Sequence, residues 1–165
     1  RSSDLMLAAP ITVNDLIIGE IIWAGTKGVF FTFAVLCVLT AFRIVRLPEG
    51  LLTPLVGFIT GVMFATLSLW ITSFVKTIQH FNFYLTGVLS PMFFFSGVVF
   101  PISNLPSSVQ FLAEIMPLTH CVRLARAVCI GVYPPSLLIS LAYAVVFTVL
   151  TGWLAIRRLR RRLIR

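Results

Sequence analysis

Acidic residues are scarce in this sequence: Asp4, Asp15, Glu20, Glu49 and Glu114 are the five it has among 165. Charged residues of both signs make up 11%, against roughly 25% in soluble globular domains. Three long stretches hold none at all, since no Asp, Glu, Lys or Arg occurs from Gly50 to Val75, from Phe81 to Ala113, or from Ala127 to Ile156. A membrane-embedded enzyme, a proton relay or a sodium site needs clustered carboxylates or histidines at membrane depth, and these runs offer nothing to build one from. The phosphate-cradling pattern G-x-x-x-x-G-K-[ST], the zinc pattern H-E-x-x-H and the nucleophile elbow G-x-S-x-G are also missing. Cysteine is limited to Cys37, Cys121 and Cys129, an odd number without C-x-x-C spacing. On one helix Cys121 and Cys129 would stand ~12 Å apart, too far to bridge, so all three read as small apolar packing residues. No catalytic residue, metal or resident cofactor is expected. Arg1 is not an initiator methionine and no secretory signal pattern opens the chain, so the sequence reads as a piece of a longer protein.

What is present is apolar: 59% hydrophobic residues and a mean hydropathy of +1.04. A hydrocarbon layer about 30 Å thick needs ~20 apolar residues of helix, and four segments supply them. They predict an all-α integral membrane domain with spans at 20–42, 51–75, 83–101 and 136–156. Residues 1–15 form a short segment ended by Pro10, with Asn14 or Asp15 placed to cap the helix that follows. Lys27 interrupts the first span at an interfacial level or snorkels from deeper. Residues 43–50 are a loop with Pro48 and Gly50 as breakers, and 76–82 a polar turn.

The span at 51–75 carries Thr53, Gly57, Gly61 and Ala65 at four-residue spacing, a groove of small residues for close helix approach, either within one subunit or between two. In the span at 83–101, Asn82, Thr86 and Ser90 line one mildly polar face, and Pro91 removes a backbone donor and kinks the helix among Phe93, Phe94 and Phe95.

Residues 102–131 are apolar enough to enter a membrane yet cannot cross it. Pro101, Pro106, Glu114, Pro117, His120, Arg123 and Arg126 chop the stretch into pieces, leaving 105–116 and 118–130 as half-helices of roughly 18 to 20 Å. A charge at mid-bilayer costs on the order of 2.5 to 3.5 kcal/mol, so two half-helices that dip in and return to the same side fit better than a span. His120, Arg123 and Arg126 are candidates to steer an anionic or sugar head group; the alternatives are an interfacial role, lipid phosphate contacts or a local pair with Glu114. His80 lies in a turn and reads as an interfacial polar residue.

The net charge of +8 does not point to nucleic acid, because six of the thirteen basic residues (Arg157, Arg158, Arg160, Arg161, Arg162 and Arg165) form a tail at 157–165 directly behind the last apolar run. Moving six charges against 100 mV would cost roughly 14 kcal/mol, which holds this end in the cytoplasm. Four crossings then put both chain ends there, with 43–50 and 102–134 outside, although Arg43, Arg46, Arg123 and Arg126 on the outer side run against the positive-inside tendency.

The stretch from 84 to 127 carries a family likeness. SPMFFFSGVVFP (90–101), the NLP turn (104–106) and PLTHCVRLAR (117–126) resemble the signature region of permeases of the ABC-2 type exporter family. IIGEIIW (17–23) and RRRLIR (160–165) are similar to the nodulation-type lipo-oligosaccharide exporter subunit within it, so the likeness covers nearly the whole chain. The resemblance implies the C-terminal four spans of a six-span permease that forms a homodimer in the bacterial inner membrane, among lipids, on two cytoplasmic ATPase subunits that hold ATP and Mg. It implies that Ser3, Asp4, Leu5, Met6, Leu7, Ala8 and Ala9 lie at the coupling helix that meets the ATPase. It implies a re-entrant pair at 102–131 on the outer side, and a translocation path along Asn82, Thr86, Ser90, Pro91, Phe93, Phe94, Phe95 and Gly97. The cargo it implies is a lipo-oligosaccharide or another glycolipid or polysaccharide. A multidrug exporter permease of the same architecture, a non-transporting membrane anchor and a membrane-embedded enzyme are the other readings.

Overall fold

The computed structural model describes residues 13–45, 49–75, 82–104 and 106–163, and among them it is helical, with no strand. The expected coupling residues 3–9 lie outside the described residues. Helix α1 (Val13–Ala41) leads to a 3-10 turn at Glu49–Leu52 and helix α2 (Thr53–Thr72). A π turn at Leu85–Leu89 runs into the short helix α3 (Ser90–Phe95), followed by a 3-10 turn at Ile102–Asn104. Helices α4 (Ser107–Ile115) and α5 (Pro117–Ile130) precede the long α6 (Ser136–Leu163). Among the described residues three helices are long and apolar enough to cross a membrane, at Asn14–Ala41, Gly50–Thr72 and Ser136–Arg158. Large side chains such as Phe30, Phe31, Leu138 and Val146 face outward, an arrangement suited to lipid as solvent.

Lipid tails are as apolar as leucine, so helices associate in a membrane through close packing and polar contacts rather than through expulsion of water. The small residues of α2 do this against α1. A Cβ placed on Gly61 would stand 2.7 Å from the carbonyl oxygen of Ala24, and one on Gly57 would stand 2.7 Å from that of Gly28. Gly50, at the other end, faces Leu36 and Val45. Residue number therefore rises along α1 as it falls along α2, and the two are antiparallel. The Gly57–Gly61 face is thus filled from within the chain. Thr53 lies buried at the start of α2, with its hydroxyl 3.9 Å from the Cys129 sulfur, and Ala65 is half-buried.

Contacts between α2 and α6 rise together along both helices, so these two are parallel. Val56 clusters with Leu137, Met63 with Ala144 and Phe147, and the Thr66 and Thr151 hydroxyls are 2.9 Å apart. The Arg158 guanidinium lies 3.6 Å from the Phe74 ring centroid. The start of α1 and the basic end of α6 consequently share one face of the bundle.

Three sequence expectations change. Asn14 and Asp15 do not precede the first membrane helix; they sit in its first turn, because helix is already present at Val13. The basic stretch expected as a tail continues α6 to Leu163, since arginine is a good helix former. The segment 83–101 is not a single helix. Pro91 has no N–H for the carbonyl four residues before it, the preceding turn widens to π geometry, and α3 stops at Phe95. Gly97, at φ +85°, then turns the chain in a conformation that residues with a Cβ rarely adopt.

Candidate functional site

Helices α4 and α5 form a hairpin beside α2 and α6. At its tip Met116 is extended, with φ −76° and ψ 128°, and Pro117 starts α5 at a position where no N–H is needed. Leu124 and Val128 pack with Val56 and Leu137 near the start of α6, whereas Cys121, nearer the tip, packs with Met63 and Ala144 farther along. The hairpin therefore enters from the Ser136 end of α6 and turns back. Its tip lies level with Ser140 and Tyr143, roughly 6 to 10 Å along the helix at 1.5 Å per residue.

The last carbonyls of α4 have no partner within the helix. Two side chains supply the donors. The His120 Nε2–H donates to the Glu114 carbonyl oxygen at 2.9 Å, and the Tyr143 hydroxyl donates to that of Ile115 at 2.5 Å. The two rings stack at 4.0 Å between centroids and 28° between planes. A carbonyl only accepts, so Nε2 carries a proton, and Nδ1 lies 3.2 Å from the Ser140 hydroxyl oxygen. From the sequence His120 is a candidate to steer a head group, with an interfacial polar role as the alternative. It is buried, with Nε2 engaged inside the hairpin and Nδ1 beside Ser140 of α6.

The Arg123 guanidinium forks onto both oxygens of the Glu114 carboxylate, with Nη1 to Oε2 at 2.8 Å, which ties α4 to α5 and neutralises both charges. That hydrogen-bonded guanidinium holds the Glu114 carboxyl below the usual carboxylate range. Arg126 Nη2 donates to the Gly97 carbonyl at 2.5 Å, pinning the turn after α3 to α5. Pro101 and Pro106 flank the 3-10 turn that leads into α4.

Of the expected translocation residues, Ser90, Phe93 and Phe94 come together in one open groove of about 410 Å³, closed by Phe64, Leu89, Met92 and Leu118. Phe93 and Phe94 meet edge to face at 5.9 Å. Asn82 and Thr86 are exposed but do not line this groove, nor do Pro91, Phe95 or Gly97. A second groove of about 290 Å³ runs between α5 and α6, with Arg123 and Arg126 in its wall. Among the described residues no cluster of histidine, cysteine and acidic groups suits a metal ion.

Tyr143 and Leu118 gave no signal of their own in the sequence. Asking which donors serve the carbonyls at a proline-broken turn inside the membrane would have pointed to the Tyr in the next span. Glu20 and Lys27 were read as interruptions, yet the packing sets their level. Lys27 adjoins Gly28, opposite Gly57, and Glu20 lies one turn before Ala24, opposite Gly61. Both exposed side chains thus fall alongside the apolar band Gly50–Thr72, with the Lys27 ammonium 5.2 Å from the Trp23 ring centroid.

The family profile described as ABC-2 type transporter matches residues 4–130. Nodulation protein J of Sinorhizobium fredii is 30% identical over 164 residues, covering 99% of this chain and 63% of that protein. Nodulation protein J of Bradyrhizobium diazoefficiens is 32% identical over 165 residues, covering 100% of this chain and 63% of its own length. The inner membrane transport permease YadH of Escherichia coli is 25% identical over 161 residues, with 96% and 63% covered. The chain thus spans slightly less than two thirds of the length of these relatives. No solved structure gives a significant match.

Proposed function

We propose, because this chain belongs to the ABC-2 type transporter family, that it acts as the membrane part of an exporter that moves a lipo-oligosaccharide or a related glycolipid out of the cytoplasm. The membrane-embedded character follows from the family and the apolar helices, and a transport subunit in place of an enzyme fits that family. The cargo is suggested by the similarity to Nodulation protein J along the whole chain. The observation that carries the reading is the open groove of Phe64, Phe93, Phe94 and Leu118 with Ser90 in its wall, Leu118 belonging to the hairpin held by paired charges. An acyl chain suits the aromatic wall.

In this reading two copies face each other in the inner membrane, and a cytoplasmic ATPase on each supplies the work. Residues 3–9 dock into it, both chain ends are cytoplasmic, and rocking of the helices opens the path outward. A hydrated route between two copies also solvates Glu20 and Lys27, which an apolar surrounding would penalise.

The test is co-purification of the full-length protein with a soluble ATPase, followed by hydrolysis assays in lipid vesicles. Stimulation by a lipo-oligosaccharide and not by a hydrophobic drug is expected. Absence of any ATPase partner would leave a non-transporting anchor, and stimulation by the drug alone would replace the glycolipid with a drug as cargo.

A further inference from the structure

The groove between α5 and α6 has a different chemistry from the aromatic one. Arg123, Arg126 and Ser136 stand on its walls together with Ile130, Val132 and Leu137. The charges do not cancel. Arg123 is matched by Glu114, whereas Arg126 donates one N–H to the Gly97 carbonyl and has no carboxylate partner among the described residues. A guanidinium carries five N–H donors, so Arg126 retains most of its fork for a ligand. Ser136 opens a helix of 28 residues, whose first N–H groups lack intrahelical acceptors and carry partial positive charge. One net cation, a hydroxyl and a helix start thus converge where α6 leaves the apolar band.

Such a site selects an anion with several acceptor oxygens in a tetrahedral array, and the forked guanidinium matches phosphate in that respect. The apolar half of the groove decides between sources. Ile130 and Val132 are 64% and 60% exposed beside the arginines, and a free phosphate ion would leave them bare. A lipid phosphate would place its acyl chain along them.

We propose that the α5–α6 groove binds the phosphate group of a membrane lipid, held by Arg126 with support from Arg123 and the start of α6. Occupation of the groove links α5, the turn at Gly97 and α6 through one ligand, so the hairpin becomes sensitive to the lipid around it. The site lies apart from the aromatic groove and does not depend on the identity of the exported cargo.

The test uses the purified chain without an ATPase, so that failure of the export reading leaves it intact. Photo-crosslinkable phosphatidylglycerol and phosphatidylcholine are compared in mixed micelles, and labelled peptides are mapped. Phosphatidylglycerol is expected to label peptides covering 123–140 about tenfold more strongly than phosphatidylcholine, a difference of about 1.4 kcal/mol. Both lipids contain a phosphodiester, and the choline cation beside Arg126 supplies the discrimination. Arg126→Gln removes the preference but also releases Gly97, so Val132→Glu serves as the second variant, placing a competing carboxylate at the groove while keeping the Arg126 bond. Labelling elsewhere in wild type, or an unchanged preference in folded Val132→Glu, overturns the proposal. Competition by inorganic phosphate at concentrations equal to the lipid assigns the site to a free ion and overturns the lipid.

Discussion

Single side chains at the hairpin tip decide whether a non-spanning segment can remain inside a membrane. Glu114 and Arg123 illustrate the electrostatic half. A carboxyl whose proton affinity is lowered by folding stabilises the fold while it is ionised, and the contribution is lost as pH falls below about 4.3 toward the lower folded value. Both side chains are partly exposed, so the pair contributes only ~0 to 1 kcal/mol. Thermal unfolding in detergent between pH 7 and pH 3 should show a small acid-induced loss of stability that Glu114→Gln abolishes; an identical loss in the variant would remove the pair from the account. His120 and Tyr143 illustrate the hydrogen-bonding half. Tyr143→Phe leaves the Ile115 carbonyl without its donor and should destabilise by about 0.5 to 1.5 kcal/mol, the net value of an ordinary hydrogen bond. Thr119 is wholly buried with no partner for its hydroxyl among the described residues, so Thr119→Val should be neutral or stabilising in the same unfolding assay.

Helices meet here by two devices, close backbone approach and proline-defined breaks. The α1–α2 crossing leaves no room for a methyl group at Gly57. Gly57→Ala should therefore weaken the pair by about 1 to 3 kcal/mol, read as loss of resistance to denaturing detergent. Gly19→Ala, with nothing within 4 Å, should be neutral or stabilising by ~0.4 to 1 kcal/mol. Equal losses would show that the crossing is not the cause. The four-residue spacing of Thr53, Gly57, Gly61 and Ala65 made this face legible, because small residues recurring on one side of an apolar helix have few other uses. The half-helices were legible too: prolines and charges set their ends within two residues of those observed. The π turn before Pro91 was not, since proline announces a missing donor but not how the preceding turn rearranges.

Across the bundle, the direction of each helix follows from packing. Antiparallel α1 and α2 and parallel α2 and α6 require the chain to return once across the bundle between Thr72 and Ser136. The broken stretch through α3 makes that return in place of a continuous helix. With Cys37, Cys121 and Cys129 replaced, Asp15→Cys and Arg158→Cys should react with an impermeant thiol reagent from one face of oriented vesicles, and Asn104→Cys from the other. Labelling of the first two from opposite faces would contradict the parallel packing of α2 and α6.

Composition and its pattern along the chain established a helical membrane protein, three of the four apolar bands expected to cross, and a segment chopped by prolines and charges. These properties depend on transfer energy and on breakers, which act locally along the chain. Who satisfies the last carbonyls of α4, which arginine has a carboxylate and which holds the Gly97 carbonyl beside a groove, and where Glu20 and Lys27 stand along α2 were settled by packing. Such relations join residues distant in sequence, and no period or spacing encodes a distance between two helices.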